Sequence, residues 1–444
     1  MIITDIRLAE ATNAYTRFEA LIGREKWKYR VDRILKHTAP DGFLREYFLR
    51  KYSYAVMLEI CAELVAERKE LNEYDIIERS LQPAVAFMMQ ALSLYDACVE
   101  EQRNRFLSRV AAALTDADEM RGLQLEMLVA AGIVMRGYSI RIPEIERPAI
   151  GDQTRVYDIL VENFGEGGIE IECKAIGEDT GRKIRGDHSR NFYECLRRKL
   201  EPVVEELTRG IAVVVTVPDR FEDVLKTPQR QSALADYICA NVRGETPDEA
   251  FSGAEVVFQE FESTELLAIA GGLANHQEAG RRIVDRITGT VNRNVLVNIK
   301  SDLTGAAVVA LRSMKSDRFA TQVTEIAREA SSRQLSKTRA GVIVLGIEIS
   351  DLAMREAAQL RTDLDRIATE FYRRDQRRHV ATLGFLSQRA TKLRGESSET
   401  IGASFYHFKN DRCEFPVPDL QILFGDAAGD RSPVIAPYAT KADD

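Results

Sequence analysis

The segment RVYDILVENFGEGGIEIECKA (155–175) reads as two short strands, RVYDILVE (155–162) and GIEIECKA (168–175), joined by a glycine-rich turn. Side chains alternate along a strand, so Ile169, Ile171, Cys173 and Ala175 share one face, while Glu170, Glu172 and Lys174 share the other. Two carboxylates and an ammonium thus project from a strand whose opposite face is core. The hairpin can set Asp158 beside Glu172. Working outward, RGLQLEMLVAA (121–131) predicts a helix that ends at Gly132 and carries Glu126 towards the same point, and IVMRGYSIRI (133–142) predicts a further strand. Downstream, SRNFYECLRRKL (189–200) has Phe192, Cys195, Leu196 and Leu200 on one apolar stripe, with Pro202 expected to kink or restart the helix. GIAVVVTV (210–217) is almost wholly apolar, as a strand covered on both faces should be. The expected order is helix, three strands, helix, strand.

Hydrolysing a phosphodiester at neutral pH calls for a metal that activates water and absorbs charge on the phosphate. Hard cations such as Mg²⁺ take carboxylate oxygens in near-octahedral geometry. A cationic side chain beside the scissile phosphate adds stabilisation that matters most in the transition state. Asp158, Glu172, Lys174 and Glu126 are residue types suited to that work.

Glu126 on a helix, Asp158 on one strand and Glu172-Cys173-Lys174 on the next resemble the PD-(D/E)xK nuclease superfamily, which includes restriction enzymes, Holliday-junction resolvases and phage-defence nucleases. The resemblance spans roughly residues 118–218. It implies an α/β fold with an αβββαβ restriction-endonuclease-like core, and a Mg²⁺ cofactor for which Mn²⁺ substitutes. It implies that Asp158 and Glu172 bind the metal, that Glu126 is the helical acid of many members, that the Cys173 carbonyl adds a ligand, and that Lys174 positions the attacking water. The implied function is a metal-dependent endonuclease, with DNA favoured as substrate and phage defence or restriction as the setting. Tyr157 stands where the family name has proline. Glu-x-Lys is a common pattern, and Glu67-Arg68-Lys69, on a helix with no strand acid before it, reads as a solvated face. Glu170 is expected to be a solvated neighbour.

Beyond that strand, Arg182, Lys183, Arg185, His188, Arg190 and Asn191 form a basic stretch. Relatives often set a polar residue of the following helix beside the phosphate, so Arg190 or Asn191 is a candidate nucleic-acid contact, weighed equally against a mobile basic loop. His188 is an unsupported general base. REKWKYRVDRILK (24–36) and FYRRDQRRH (371–379) mix aromatic and basic residues as phosphate contact and base stacking require, although a solvated helix face is the stronger reading.

The 444 residues predict several domains: a helical region over 1–117, the nuclease domain over 118–250, a second α/β domain over 251–424, binding, regulatory or a degenerate copy, and a disordered tail over 425–444. TRGIAVVVTVPD and TRAGVIVLGIEISD are alike in order and composition, which an old duplication or the common demands of buried strands both produce. Six cysteines without a Cys-x-x-Cys pair, and five histidines, predict buried thiols in a cytoplasmic protein and neither a disulfide framework nor a zinc site. The start of the chain has no signal-like pattern, and no apolar run is long enough to span a bilayer. A net charge of −8 disfavours a nucleic-acid coat working by bulk charge, yet is compatible with a local basic track. Apolar stripes such as 81–114 predict a homo-oligomer, a dimer or a tetramer of dimers. Two other functions fit the same residues: an inactive nucleic-acid-binding or assembly protein of this fold, and a sensor-effector in which a ligand gates the nuclease. No Gly-rich phosphate loop supports an ATP-driven motor.

Overall fold

The protein is described by a computed structural model covering residues 2–38, 45, 48–49, 51–146, 157–177, 179–245, 251–269, 276–290, 294–300, 302, 304–347, 358–394 and 398–424. The expected tail at 425–444 lies outside the described residues. The fold is mixed α/β, and the chain divides into two compact units. One comprises 1–41, 45–180 and 320–444; the other comprises 42–44 and 181–319. These cut across the boundaries expected at 117, 250 and 424.

The first unit opens with strand β1 (Ile2–Arg7) and a helical region: α1 (Ala11–Ile22), α2 (Glu25–His37), α3 (Ser53–Arg68), α4 (Gln82–Ala97) and α5 (Glu100–Ala113). Its aromatic residues Tyr15, Phe18, Trp27, Phe87 and Phe106 are fully buried, and Ala84 to Met88 are sealed within the same core. The apolar stripe at 81–114 is therefore largely covered inside one chain. Trp27 is core, so base stacking by the 24–36 segment is ruled out for it. Arg24 pairs with Glu59 at 2.7 Å, and Arg30 stacks on Tyr52 and bonds the Thr115 carbonyl.

Next come α6 (Ala117–Val134), β2 (Ile140–Arg141), α7 (Pro143–Glu146), β3 (Ile159–Val161) and β4 (Ile169–Ile176). Helix α6 runs through Gly132, which is buried, to its C-cap at Met135, and the left-handed glycine comes after it at Gly137, φ +83°. The expected strand at 133–142 thus shrinks to two residues. Met127, Leu128, Ala130, Ala131 and Ile133 are all buried, and so dense an apolar run carries no periodicity that separates a helix from a strand.

At residue 181 the chain enters the second unit. There α8 (Gly186–Val204), with Pro202 in its last turn, β5 (Gly210–Val217), α9 (Pro228–Val242), β6 (Glu255–Phe261), α10 (His276–Thr288), β7 (Asn294–Ile299) and β8 (Ala306–Ser313) build a four-stranded sheet. Its order is β6-β5-β8-β7, with β5 and β8 parallel and both outer pairs antiparallel. Val213 and Val215 face the core beneath Phe192 and Leu196, while Ala212 and Val214 face a second core with Ala279 and Ile283. The strand is covered on both faces, as its composition predicts. The two ends of this unit are tied together: Arg318 N donates to the Gly181 carbonyl at 2.8 Å, and Lys183 N to Asp317 at 2.9 Å. Paired ends are what allow a folded unit to interrupt another without disrupting it.

The first unit resumes with α11 (Phe319–Glu329), which continues as a π-helical turn over 330–334. Strand β9 (Gly341–Ile347), α12 (Ala358–Tyr372), β10 (Val380–Arg394) and β11 (Ser398–Lys409) complete it. Its sheet has the order β1-β11-β10-β9-β4-β3-β2. β3 and β4 are an antiparallel pair, and β9 lies parallel to β4 with Glu172 opposite Ile343. The helix-strand pair following β4 in space is thus α11–β9, not α8–β5 as chain order suggested. Segment 371–379 is mixed: Phe371, Tyr372, Arg377 and His379 are buried, the last bonded to Ser331, whereas Arg373, Arg374 and Arg378 are exposed.

Candidate metal centre

The β3–β4 hairpin sets the geometry. Gly168, at φ +73°, makes the return: a Cβ there would lie 2.6 Å from the Val161 carbonyl oxygen, so only glycine fits. Ile159 pairs with Ile171, and one step further the register sets Asp158 opposite Glu172. Asp158 is not itself in the strand. Its Oδ2 accepts the Cys173 N–H at 2.7 Å, so a carboxylate replaces the main-chain acceptor and the ladder stops at Ile159. That bond leaves the second oxygen uncommitted to the ladder.

Helix α6 carries Glu126 to Asp158. A third acid joins them: Glu144 of the short helix α7, which Arg105 of α5 anchors by donating to the Ile145 carbonyl at 3.0 Å. One carboxylate oxygen each from Glu126, Glu144 and Asp158 lies within 4.8 Å of the others. Ligand oxygens around Mg²⁺ are about 3–4 Å apart, so small side-chain adjustments would close the group on a cation. Glu144 was missed because α7 is a single turn whose tetrapeptide Pro-Glu-Ile-Glu has no distinguishing spacing.

Glu172 is wholly buried. Lys174 Nζ lies 2.7 Å from its Oε1, while Oε2 is sealed from solvent with no hydrogen-bond partner among the described residues. Glu172 is close enough to feel the charges of Asp158 and Glu126, although it is not within the three-acid group. Arg109 of α5 provides a second cation, its Nη2 at 2.7 Å from Glu126 and 2.9 Å from Glu144. Nothing in the sequence linked that helix to the centre.

Burial dominates the electrostatics. It pushes Glu126 up to about 8, with the Asp158 charge adding to it and Arg109 opposing. Glu172 is likewise pushed up to about 8 by burial and by Asp158, against Lys174. Asp158 rises less, to about 6, because the Cys173 N–H favours its ionised form. Burial alone would lower Lys174, but Glu172 and its neighbours outweigh that and raise it. When all are ionised, the four carboxylates exceed Lys174 and Arg109 by two negative charges, which one divalent cation would balance. The oxygen-only donor set, the charge deficit and the unpartnered Glu172 Oε2 therefore fit a hard divalent metal. Glu126, Glu144 and Asp158 would hold it, with Glu172 adjoining.

Glu170 is not solvated: it is fully buried, takes the Ser336 N–H at 2.7 Å and the Ser336 hydroxyl, and lies 3.4 Å from Arg339. Arg182, Lys183, Arg185, Arg190 and Asn191 all belong to the second unit. There Lys183 pairs with Asp219, and His188 Nδ1 lies 3.1 Å from Glu222. Cys173 has its side chain in the core. All six cysteines are free.

Removing the Arg109 cation tests the charge balance. Arg109→Met should lower the Tm in EDTA by the equivalent of about 1–2 kcal/mol, because breaking a half-buried ion pair from one side leaves Glu126 without its cation. Mn²⁺ should stabilise the variant more than the parent. A differential scanning fluorimetry series would show it, and an unchanged Tm in EDTA would refute the assigned role.

No family model, no curated protein and no solved structure matches this chain. Among the described residues no helix is long and apolar enough to cross a membrane.

Proposed function

We propose that this chain is a Mg²⁺- or Mn²⁺-dependent nuclease of the PD-(D/E)xK type, acting on DNA, in which a second α/β unit interrupts the catalytic core between β4 and α11. The observation that carries the reading is the gathering of Glu126, Asp158 and Glu144 beside the buried Glu172–Lys174 pair. The element order α6-β2-β3-β4-α11-β9, with β9 parallel to β4, supports it as the αβββαβ arrangement of that superfamily. A nucleic-acid-binding protein without catalysis would gain nothing from four clustered carboxylates, which repel phosphate unless a cation sits among them.

When bound, the metal would supply Lewis-acid polarisation of the phosphate and a lowered pKa for water. The chain's own residues do the rest. Asp158, held by the Cys173 N–H, keeps its free oxygen in a fixed direction. Glu172 anchors Lys174, whose ammonium can orient water or a phosphate oxygen by donating hydrogen bonds. Arg109 balances Glu126 and Glu144 until a cation takes over that role. The Cys173 carbonyl remains a proposed ligand.

A panel of plasmid, linear duplex, single-stranded DNA and RNA with Mg²⁺ or Mn²⁺ tests this. DNA should be cut, Ca²⁺ should support binding better than cleavage, and hydrolysis undiminished in excess EDTA would overturn the proposal. A cytoplasmic setting in phage defence or restriction belongs to the same reading.

The connectivity also favours ligand gating. In the chain, the second unit is entered at 180/181 and left at 319/320, after the strand bearing Glu172 and Lys174. Cleavage that needs a small molecule or partner bound to residues 181–319 would establish it. Cutting both strands of a duplex calls for paired sites, so we retain a homo-oligomer in the proposal on chemical grounds alone. Light scattering at micromolar concentration decides that point: a mass of 50.0 kDa, the monomer value, refutes it.

A further inference from the structure

A second charged group, apart from the acids, is buried without a direct ion pair among the described residues. Arg377, in the single turn of 3₁₀ helix at Asp375–Arg377, is 7% exposed, and its guanidinium lies 4.7 Å over the Phe371 ring. Its Nη1 is sealed from solvent without a hydrogen-bond partner among the described residues. Among the described residues, the charges it feels are Arg328, Arg374 and the carboxylate of Glu370. Glu370 is already engaged, 2.7 Å from Arg328 and 3.6 Å from Arg373. Burial, then the two arginines, lower Arg377 to about 10, the direction expected of a cation in need of an anion.

The surroundings hold this group in place. Asn410 Nδ2 donates to the carbonyls of Arg377 and Val380, at 3.2 and 2.8 Å. Arg328 sits on α11 directly before the π-helical turn at 330–334, an irregularity often found where a helix serves a site. His379 Nε2 pins that turn through Ser331. A buried guanidinium without an anion is costly in free energy, and a fixed fork of donors flanked by two more arginines suits a tetrahedral oxyanion.

We propose that Arg377, with Arg328 and Arg374, forms a phosphate-binding site on the first unit, distinct from the acid centre and independent of whether that centre is a nuclease. The phosphate is either a free or monoester group or one in a nucleic-acid backbone, and the experiment separates these. The full-length protein, in chloride buffer with EDTA, is titrated calorimetrically with inorganic phosphate, with a nucleoside 5′-monophosphate and with a short single-stranded oligonucleotide. Saturable binding of at least one probe at one site per chain is expected, weakened about tenfold or more by Arg374→Gln and by Arg377→Met, as loss of a charge-assisted contact predicts. Arg374 is exposed, so its variant reports on binding even if Arg377→Met fails to fold. Response to phosphate or monophosphate assigns a small-ligand site; response to the oligonucleotide alone assigns a backbone contact. No saturable binding of any probe, or binding unchanged in Arg374→Gln, overturns the proposal.

Discussion

Asp158→Asn, Glu172→Gln and Lys174→Met should each reduce Mn²⁺-supported DNA cleavage by about 10²–10³-fold or more, the loss typical of removing one preorganised electrostatic group. The variants need not lose stability in the same measure. Glu172→Gln keeps the side chain's shape and removes a charge that burial penalises, while Lys174 retains the nearby charges of Asp158 and Glu126, so in EDTA it should be at least as stable as the parent. Lost cleavage with a preserved or raised Tm would separate a functional acid from a structural one. Glu126→Ala should be milder or equal, since Glu144 and Asp158 still offer oxygens. Full activity in purified Glu172→Gln would sink the proposed centre.

The second large effect is a coupling between pH and metal. Glu126 and Glu172 rise to about 8 in the fold and Asp158 to about 6, whereas an unfolded chain ionises such groups near 4. The folded state therefore binds more protons than the unfolded one between those limits. Stability is greatest at the acid end of this window and declines as pH rises towards 8, by several kcal/mol in total as an order of magnitude. A divalent cation takes over from the protons, so its stabilisation should grow with pH. Melting curves at pH 6 and pH 8, in EDTA and in 5–10 mM Mg²⁺ (roughly saturating for a carboxylate site), measure both terms. A metal-induced rise in Tm of equal size at both pH values would contradict the charge deficit assigned to this centre.

Much of the candidate centre is legible in IEIECKA and its hairpin. A period of two puts Glu172 and Lys174 together, and the short glycine-rich return puts Asp158 opposite them. Chain order misleads where a neighbour in the chain is not a neighbour in space. α8–β5 satisfies every local requirement for completing the core, yet the parallel partner of β5 is β8. The likeness of TRGIAVVVTVPD to TRAGVIVLGIEISD takes on meaning here: β5 stands beside the β7–β8 hairpin as β9 stands beside β3–β4. Each is an apolar strand set parallel to one arm of a hairpin, and that shared setting demands similar residues with or without common ancestry.

Glu170 shows the same limit at one residue. Alternation put it on the face of Glu172, but whether that face met solvent depended on Ser336 and Arg339, more than 160 positions away in the chain. Trp27 looked like a stacking residue among cations until the α1–α5 core enclosed it.

By itself the sequence determined the strand faces, the hairpin that brings Asp158 to Glu172 and the buried character of β5, because these depend on backbone periodicity and local turn chemistry. Only the tertiary structure decided that β9 completes the sheet beside β4, that Glu144 and Arg109 enter the acid centre, and that Arg377 is buried with its Nη1 unpartnered among the described residues. Those outcomes come from packing among segments distant in the chain, where burial sets both the charge balance and the cost of leaving a group unpaired.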